Sequence, residues 1–393
     1  MKKKLISMLL ILSSVMSFAA CNAASVSPQP VSEIPEPSEI VSEIPSEPVS
    51  ETPSEPDSEI KSEKPAEVQA DFKPEISILL NNDISDLNAI SQSGNFIYSP
   101  LSMRTALDIY AQFVTDEDVK ENLSDFIYNE DYLAYNYDKE SYKSVNRIWV
   151  NKNKEIEIPE TLKNFVYEMD MSDAKKATDE KNAFVNKQTN GFINQTPSVL
   201  NSDVRYDVMN VLYFKDKYAE KPTVIDYDID FKNSDGSTSN PEFIMFDIDK
   251  YYKNDTAIVA PIEYEDGNVL LMIKPLDGIE NVNLNGIFDE AVYEETYVYY
   301  PLFKSENSFI LNDIMPKLVE NTPNIDTTIM QIAKIEVDEE GTTAAAVTEV
   351  LTTDACVAEP EEPAEIYFDS EFYYAIKDTE NDDIAFIGRI SDL

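Results

Sequence analysis

Two cysteines, Cys21 and Cys356, are the only thiols in the chain, and none of its 393 residues is a histidine. A Ser-His-Asp or Cys-His device needs an imidazole that takes up and returns a proton near neutral pH. Most zinc sites draw on imidazole or on clustered thiolates. Conventional hydrolase and zinc chemistry are therefore disfavoured at the outset. Paired carboxylates can act as acid and base, but among 75 Asp and Glu residues neighbouring acids arise by chance and no pair stands out. Eight glycines leave no phosphate-cradling loop. No catalytic residue, metal ligand or cofactor is assigned, and the chain does not read as an enzyme.

One short segment carries a physical pattern. After Glu340 comes Gly341, a permissive residue able to pivot, then Thr342, Thr343, Ala344, Ala345, Ala346, Val347 and Thr348. Strand side chains alternate between faces. In a strand, Thr342, Ala344, Ala346 and Thr348 share one face, and all are small. Small groups are what a strand needs if it is to slide into a packed sheet. No proline occurs from Gly341 to Glu359, so every amide there can join a ladder. The segment suits a loop that becomes a central strand after a trigger. The plainer alternative is an Ala/Thr-rich surface loop that never inserts.

The formal net charge is −44, which repels phosphate backbones and argues against nucleic acid as a partner. Met1-Lys2-Lys3-Lys4 followed by an apolar run to about Ala20 reads as an export signal, too short for a comfortable transmembrane helix. Phe18-Ala19-Ala20-Cys21 resembles a lipoprotein box, with residues 1–20 removed and Cys21 acylated; the alternative is ordinary cleavage near Ala23 or Ala24. Residues 21–70 form the next unit. Between Ser25 and Ala70, repeated Ser-Glu-Pro units hold nine of the 22 prolines. Such an acidic stretch buries too little apolar surface to offset its ordering entropy and is expected to be an extended tether.

Residues 71–393 carry mixed helix and strand signals, an α+β domain. In NFIYSPLSMRTALDIYAQF, Ser99 caps a helix with Pro100 in its first turn, and Leu101, Ala106, Leu107, Tyr110 and Val114 recur at helical spacing. NRIWVNK, DVMNVLYFK, GNVLLMIKP, FYYAIKD and DDIAFIGRI read as strands.

Taken in order, these segments resemble the serpin family. SPLS is similar to the start of its second helix. Asn146–Asn151 with a helix from about Pro159 resembles the strand and helix over its main sheet. QTNGFI followed by MNVLYFK, then LLMIKPLDG, YVYYPLFKSENSFILNDIM and the closing FYYAIKD…AFIGRI match its later body. VDEEGTTAAAVTEV resembles the hinge of an inhibitory reactive loop.

The resemblance implies a serpin fold: a large central mixed β-sheet, further sheets, covering helices and an exposed reactive-centre loop at about 341–367. It also implies a suicide inhibitor of serine-type endopeptidases. The peptidase would attack the loop, form a covalent acyl complex and be trapped as the loop inserts. Family spacing from Gly341 puts the reactive bond between Ala355 and Cys356; counting back from Phe368 puts it several residues later. Ala355, Cys356, Val357 and Ala358 are small and uncharged, which suits elastase-like or subtilisin-like peptidases, and no Arg or Lys lies between Gly341 and Phe368. Cleavage after Asp354 is a further possibility. Cys356 reads as a small residue beside the bond or as a redox-sensitive thiol.

Gln331 stands where the family carries a histidine, with Ser99, Ser102 or Asn190 as its expected hydrogen-bond partners in the region where the sheet opens. Tyr218 replaces a common tryptophan, and the stretch from Met315 to Gln331 is short. A monomer, lipid-anchored at a bacterial membrane and exposed outside the cell, is expected. A non-inhibitory serpin-fold surface lipoprotein acting as a binding module stays open, as does an adhesin head.

Overall fold

Ser99 starts its helix as the sequence predicts: its Oγ accepts from the Ser102 N–H at 3.1 Å, and Pro100 occupies the first turn, where its missing N–H costs nothing. Residues 72–91, 93–114, 120–121, 123, 142–196, 198–310, 330–341 and 363–393 of the computed structural model are described. All lie within the unit Gln69–Leu393. Helix α1 spans Pro74–Ile90, α2 Pro100–Phe113 and α3 Ala174–Gln188. In α1, Ile76, Leu80, Ile84 and Leu87 recur on one face and are buried.

The first strands are β1 (Phe96–Tyr98), β2 (Tyr142–Asn151), β3 (Val166–Met169) and β4 (Tyr206–Phe214). Next come β5 (Thr223–Val224), β6 (Phe231–Lys232), β7 (Thr238–Ser239), β8 (Phe243–Lys253), β9 (Ala257–Glu263) and β10 (Val269–Pro275). The last are β11 (Ala291–Pro301), β12 (Phe303–Ile310), β13 (Met330–Val337), β14 (Ala364–Tyr367), β15 (Phe372–Asp378) and β16 (Asp383–Ile390).

The largest sheet has nine strands, in the order β1-β16-β15-β10-β9-β8-β11-β14 with β5 added on β8. It is mixed, because β14 runs parallel to β11. Its middle strands are apolar on both faces. Tyr373, Ala375, Leu271 and Ile273 pack with α1 and α2, while Phe372, Tyr374, Leu270 and Met272 face a second core. A strand buried on both sides reads as a continuous apolar run, as GNVLLMIKP does.

Five more strands lie in two pieces, β3-β2-β4 and β12-β13. The helix expected from about Pro159 is only a 3-10 turn, Glu160–Phe165. The aromatic and β-branched residues that follow are drawn into β3, which pairs with β2 in parallel. The true covering helix is α3, capped by Asp173, whose carboxylate accepts from the Lys176 N–H at 3.1 Å. Its Val185 packs with Trp149 of β2 and Met209 and Val211 of β4.

Candidate functional site: a parted sheet below a glycine hinge

The two pieces lie side by side, β4 beside β13, and Ile332 of β13 packs against the core formed by Trp149, Met209 and Val211. Just past both strands, Lys217 pairs with Gly341 in an isolated bridge, and the Tyr218 N–H donates to the Glu340 carbonyl at 3.2 Å. The ends of β4 and β13 therefore meet, and the two strands run the same way. Below that bridge no ladder joins them among the described residues. Instead there is a shallow crevice, lined by Met209, Asn210, Val211, Ile332, Val185 and Ile193. Strand edges without a partner offer N–H and C=O groups to any extended segment. A chain turning back at Gly341 into this crevice would run antiparallel to both neighbours.

Gly341 is there for a reason of space. Its φ is +143°, and a Cβ at this position would come within 2.3 Å of the Asp216 carbonyl oxygen and 2.6 Å of Lys217 Cα. Only glycine allows the two backbones to approach so closely. Glu340 and Gly341 are the hinge residues that the structure describes. Thr342, Thr343, Ala344, Ala345, Ala346, Val347 and Thr348, the reactive bond Ala355–Cys356 and the lipidation residue Cys21 lie outside the described residues, as does most of the stretch between Met315 and Gln331.

Lower down, Gln331 grips Ser99. Its Oε1 accepts from the Ser99 N–H and its Nε2 donates to the Ser99 carbonyl, both at 2.7 Å. Ser99 Oγ donates to the Ala385 carbonyl at 2.6 Å, and Ser102 Oγ to the Asn210 carbonyl at 3.4 Å. This ties β13, the start of α2, β16 and β4 at one buried point. Gln331, Ser99 and Ser102 are thus brought together, but Asn190 is not. It sits past the end of α3 in the left-handed region, φ 50°, and among the described residues its side chain bonds none of the three. The asparagine at this point is Asn210, whose Nδ2 donates to Ser144 Oγ at 3.0 Å and Asn146 Oδ1 at 2.9 Å. The signal was present in DVMNVLYF: a lone polar side chain inside an apolar strand needs partners.

The upper end is acidic and aromatic. Burial first, then the nearby Asp266 carboxylate, push Asp216 up to about 6. Tyr218 stacks on Tyr264 with ring centroids 5.5 Å apart and meets Phe246 edge-on at 4.8 Å. Burial holds its phenol well above the ordinary range. Among the described residues no cluster of acidic or thiol groups is arranged to hold a metal.

The sequence matches the family described as Serpin (serine protease inhibitor) over residues 80–393. An uncharacterized serpin-like protein of Thermococcus kodakarensis is 26% identical over 281 residues, 63% of this chain and 66% of its own length. A serpin-like protein of fowlpox virus is 31% identical over 44% of this chain and 58% of its own. The chain thus spans 58% to 66% of the length of these two relatives. Leukocyte elastase inhibitor A of Mus musculus is 26% identical over 77% of this chain and 94% of its own. Among solved structures, the thermophilic serpin Tengpin in its native state superposes with a TM-score of 0.69 at 18% identity, covering 83% of this chain and 96% of that one. Thyroxine-binding globulin in complex with thyroxine superposes at 0.67 with 16% identity, covering 81% and 98%. The parted sheet, the glycine hinge and the match over residues 80–393 agree: the chain belongs to the serpin family.

Proposed function

We propose that this protein inhibits serine-type endopeptidases as a suicide substrate, acting on elastase-like or subtilisin-like enzymes. One observation carries the reading: an isolated bridge at Gly341 closes the top of two neighbouring strand edges, β4 and β13, which among the described residues share no ladder below it. In the proposed reaction, the peptidase serine Oγ attacks the Ala355 carbonyl. An ester forms, the Ala355–Cys356 peptide bond breaks, and the new amine of Cys356 leaves with the proton delivered by the peptidase. The freed segment from Thr342 onward then turns at Gly341 and enters between β4 and β13. Added backbone hydrogen bonds and buried small side chains drive the step, and the ester is carried away before water reaches it. The inhibitor acts as a monomer and is consumed once per target. Cys21 lipidation would hold it at a membrane, with residues 21–70 giving reach.

The test is incubation with a panel of elastase-like and subtilisin-like peptidases. A denaturant-resistant adduct on a gel is the expected result, with mass spectrometry of the released peptide locating the bond. The nicked protein should also melt well above the intact one. Clean hydrolysis without adduct, or a melting point unmoved by nicking, overturns inhibition and leaves a serpin-fold binding module.

A further inference from the structure

Two tyrosine rings lie face to face across the last pair of strands in the large sheet. Tyr299 of β11 and Tyr367 of β14 are Cα partners, with ring centroids 4.3 Å apart and planes 5° from parallel. A bond between their ring carbons needs a tilt of the rings and leaves both strands in register. Glu365, one pleat back on β14, is exposed, and its Oε1 accepts from Tyr299 Oη at 3.4 Å. Tyr227, 56% exposed, stands near enough to act on both stacked phenols. Burial above all holds those two phenols above the ordinary range, so both are protonated at neutral pH and need a base to release the proton. Glu365 is that base. Among the described residues there is no cysteine, and the single tryptophan, Trp149, is buried. Exposed phenols are then the readiest one-electron donors. The other stacked tyrosines, Tyr218 and Tyr264, are 5.5 Å apart and buried, out of reach of an oxidant.

We propose that Tyr299 and Tyr367 are a modification site, joined by a carbon–carbon bond when a haem peroxidase acts on the chain with hydrogen peroxide. The peroxidase takes one electron from the exposed Tyr227, whose proton passes to water. Tyr299 returns an electron to Tyr227 and gives its own proton to Glu365, which passes it to water; Tyr227 is reprotonated from water. A second round oxidises Tyr367 in the same way. The two phenoxyl radicals couple at ring carbons beside their oxygens, and the two hydrogens on those carbons return to the phenol oxygens. The pair has then lost two electrons and two protons, which reduce one hydrogen peroxide to two waters. β14 is an edge strand of four residues, paired among the described residues with β11 alone. An element with so few partners opens before the core does. The cross-link pins its last residue to the neighbouring strand. This inference stands apart from the inhibitory reading, since it needs neither a peptidase nor loop insertion.

The test exposes the full chain to a haem peroxidase with limiting hydrogen peroxide and separates monomer from dimer. The monomer should gain dityrosine fluorescence. Peptide mass spectrometry should join the segments that hold Tyr299 and Tyr367, with the loss of two hydrogens. Tyr299→Phe keeps the ring in place and should abolish the monomer signal. Tyr227→Phe and Glu365→Gln should each slow its appearance about tenfold. Tyr293→Phe, at a tyrosine of the same strand that is 72% exposed, should leave it unchanged. In the linked monomer, exchange of the Phe368 amide, which donates to the Tyr299 carbonyl at 2.8 Å, should slow about tenfold. Fluorescence confined to dimers, a monomer signal that survives Tyr299→Phe, a link between other tyrosines, or full speed in Tyr227→Phe overturns the proposal.

Discussion

Lys181 Nζ donates to Asp207 Oδ2 at 2.9 Å, and the two side chains are 0% and 6% exposed. The pair clasps α3 onto β4 at the flank of the crevice, one turn before Val185, which lines it. A buried ion pair adds little over a well-packed apolar pair, yet breaking one side strands a charge. Lys181→Met should therefore cost about 3–5 kcal/mol. Lys181→Met/Asp207→Leu should recover most of that loss. Urea midpoints of the two variants decide; a double variant as weak as the single one would mean that packing, not charge, holds α3.

The grip of Gln331 on Ser99 predicts a different signature. Gln331→Ala leaves a buried N–H and a buried carbonyl without their partners, at about 1–3 kcal/mol each. Gln331→His is more telling. A neutral imidazole keeps one donor and one acceptor, whereas the imidazolium only donates and cannot take the Ser99 N–H. The folded pKa of that histidine is then depressed below the usual value of about 6.5. Its contribution is present above the unfolded pKa and is lost as pH falls through the folded one. Unfolding curves at pH 7.5 and 5.0 should show the histidine variant losing stability relative to the parent, whose amide does not titrate.

Helix α2 and strands β10, β15 and β16 were legible because their signals are local: a cap with proline in the first turn, and apolar runs buried on both faces. The sheet-opening point was legible only in part. Ser99 and Gln331 are 232 positions apart, and nothing in local pattern pairs them. Asn190 and Asn210 both lie within segments that resemble the family, QTNGFI and MNVLYFK, and spacing along the chain does not tell which side chain turns inward. Asn210 does so because it alternates with buried neighbours in β4, whereas Asn190 caps a helix end at positive φ. The helix expected at Pro159 failed because pairing with β2 overrode a local turn signal. Gly341 was singled out as a pivot, but the close approach of Asp216 and Lys217 that demands glycine belongs to the folded chain alone.

Asp216 gives the upper end a pH dependence of its own. Burial and the neighbouring Asp266 push its carboxyl up to about 6, above an unfolded value near 3.8. The folded state thus holds the proton more tightly. The stability that this supplies is fully present below the unfolded pKa and is lost as pH rises through about 6. Asp86, raised to about 6 chiefly by burial, acts in the same sense. Asp170 and Asp382, held low by hydrogen bonds from Ser172 and from Lys377, act in the opposite one. These other groups are common to the parent and to Asp216→Asn, so the difference between the two isolates Asp216. Relative to the parent, Asp216→Asn should gain stability between pH 4 and pH 7. Chemical denaturation across that range checks the slope; parallel curves would mean that Asp216 titrates as it does in the unfolded chain.

Gly341→Ala tests the hinge itself. At φ +143° an alanine is strained wherever it sits, and here its Cβ would meet backbone atoms of Asp216 and Lys217 that cannot swing aside as a side chain does. Relief requires the Lys217 bridge and the Tyr218 N–H bond to Glu340 to open. Backbone strain of this kind costs about 1–3 kcal/mol, and losing a hydrogen bond adds about 1 kcal/mol. A fair control is Gly267→Ala, where φ is +83° and nothing lies within 4 Å of the added carbon, so strain acts without collision. Guanidinium unfolding should show the larger loss at Gly341, and hydrogen exchange of the Tyr218 amide should quicken at least tenfold in that variant alone. Were both alanines to cost the same and the Tyr218 amide to stay protected, the two strand ends would be held by something other than the close passage at Gly341.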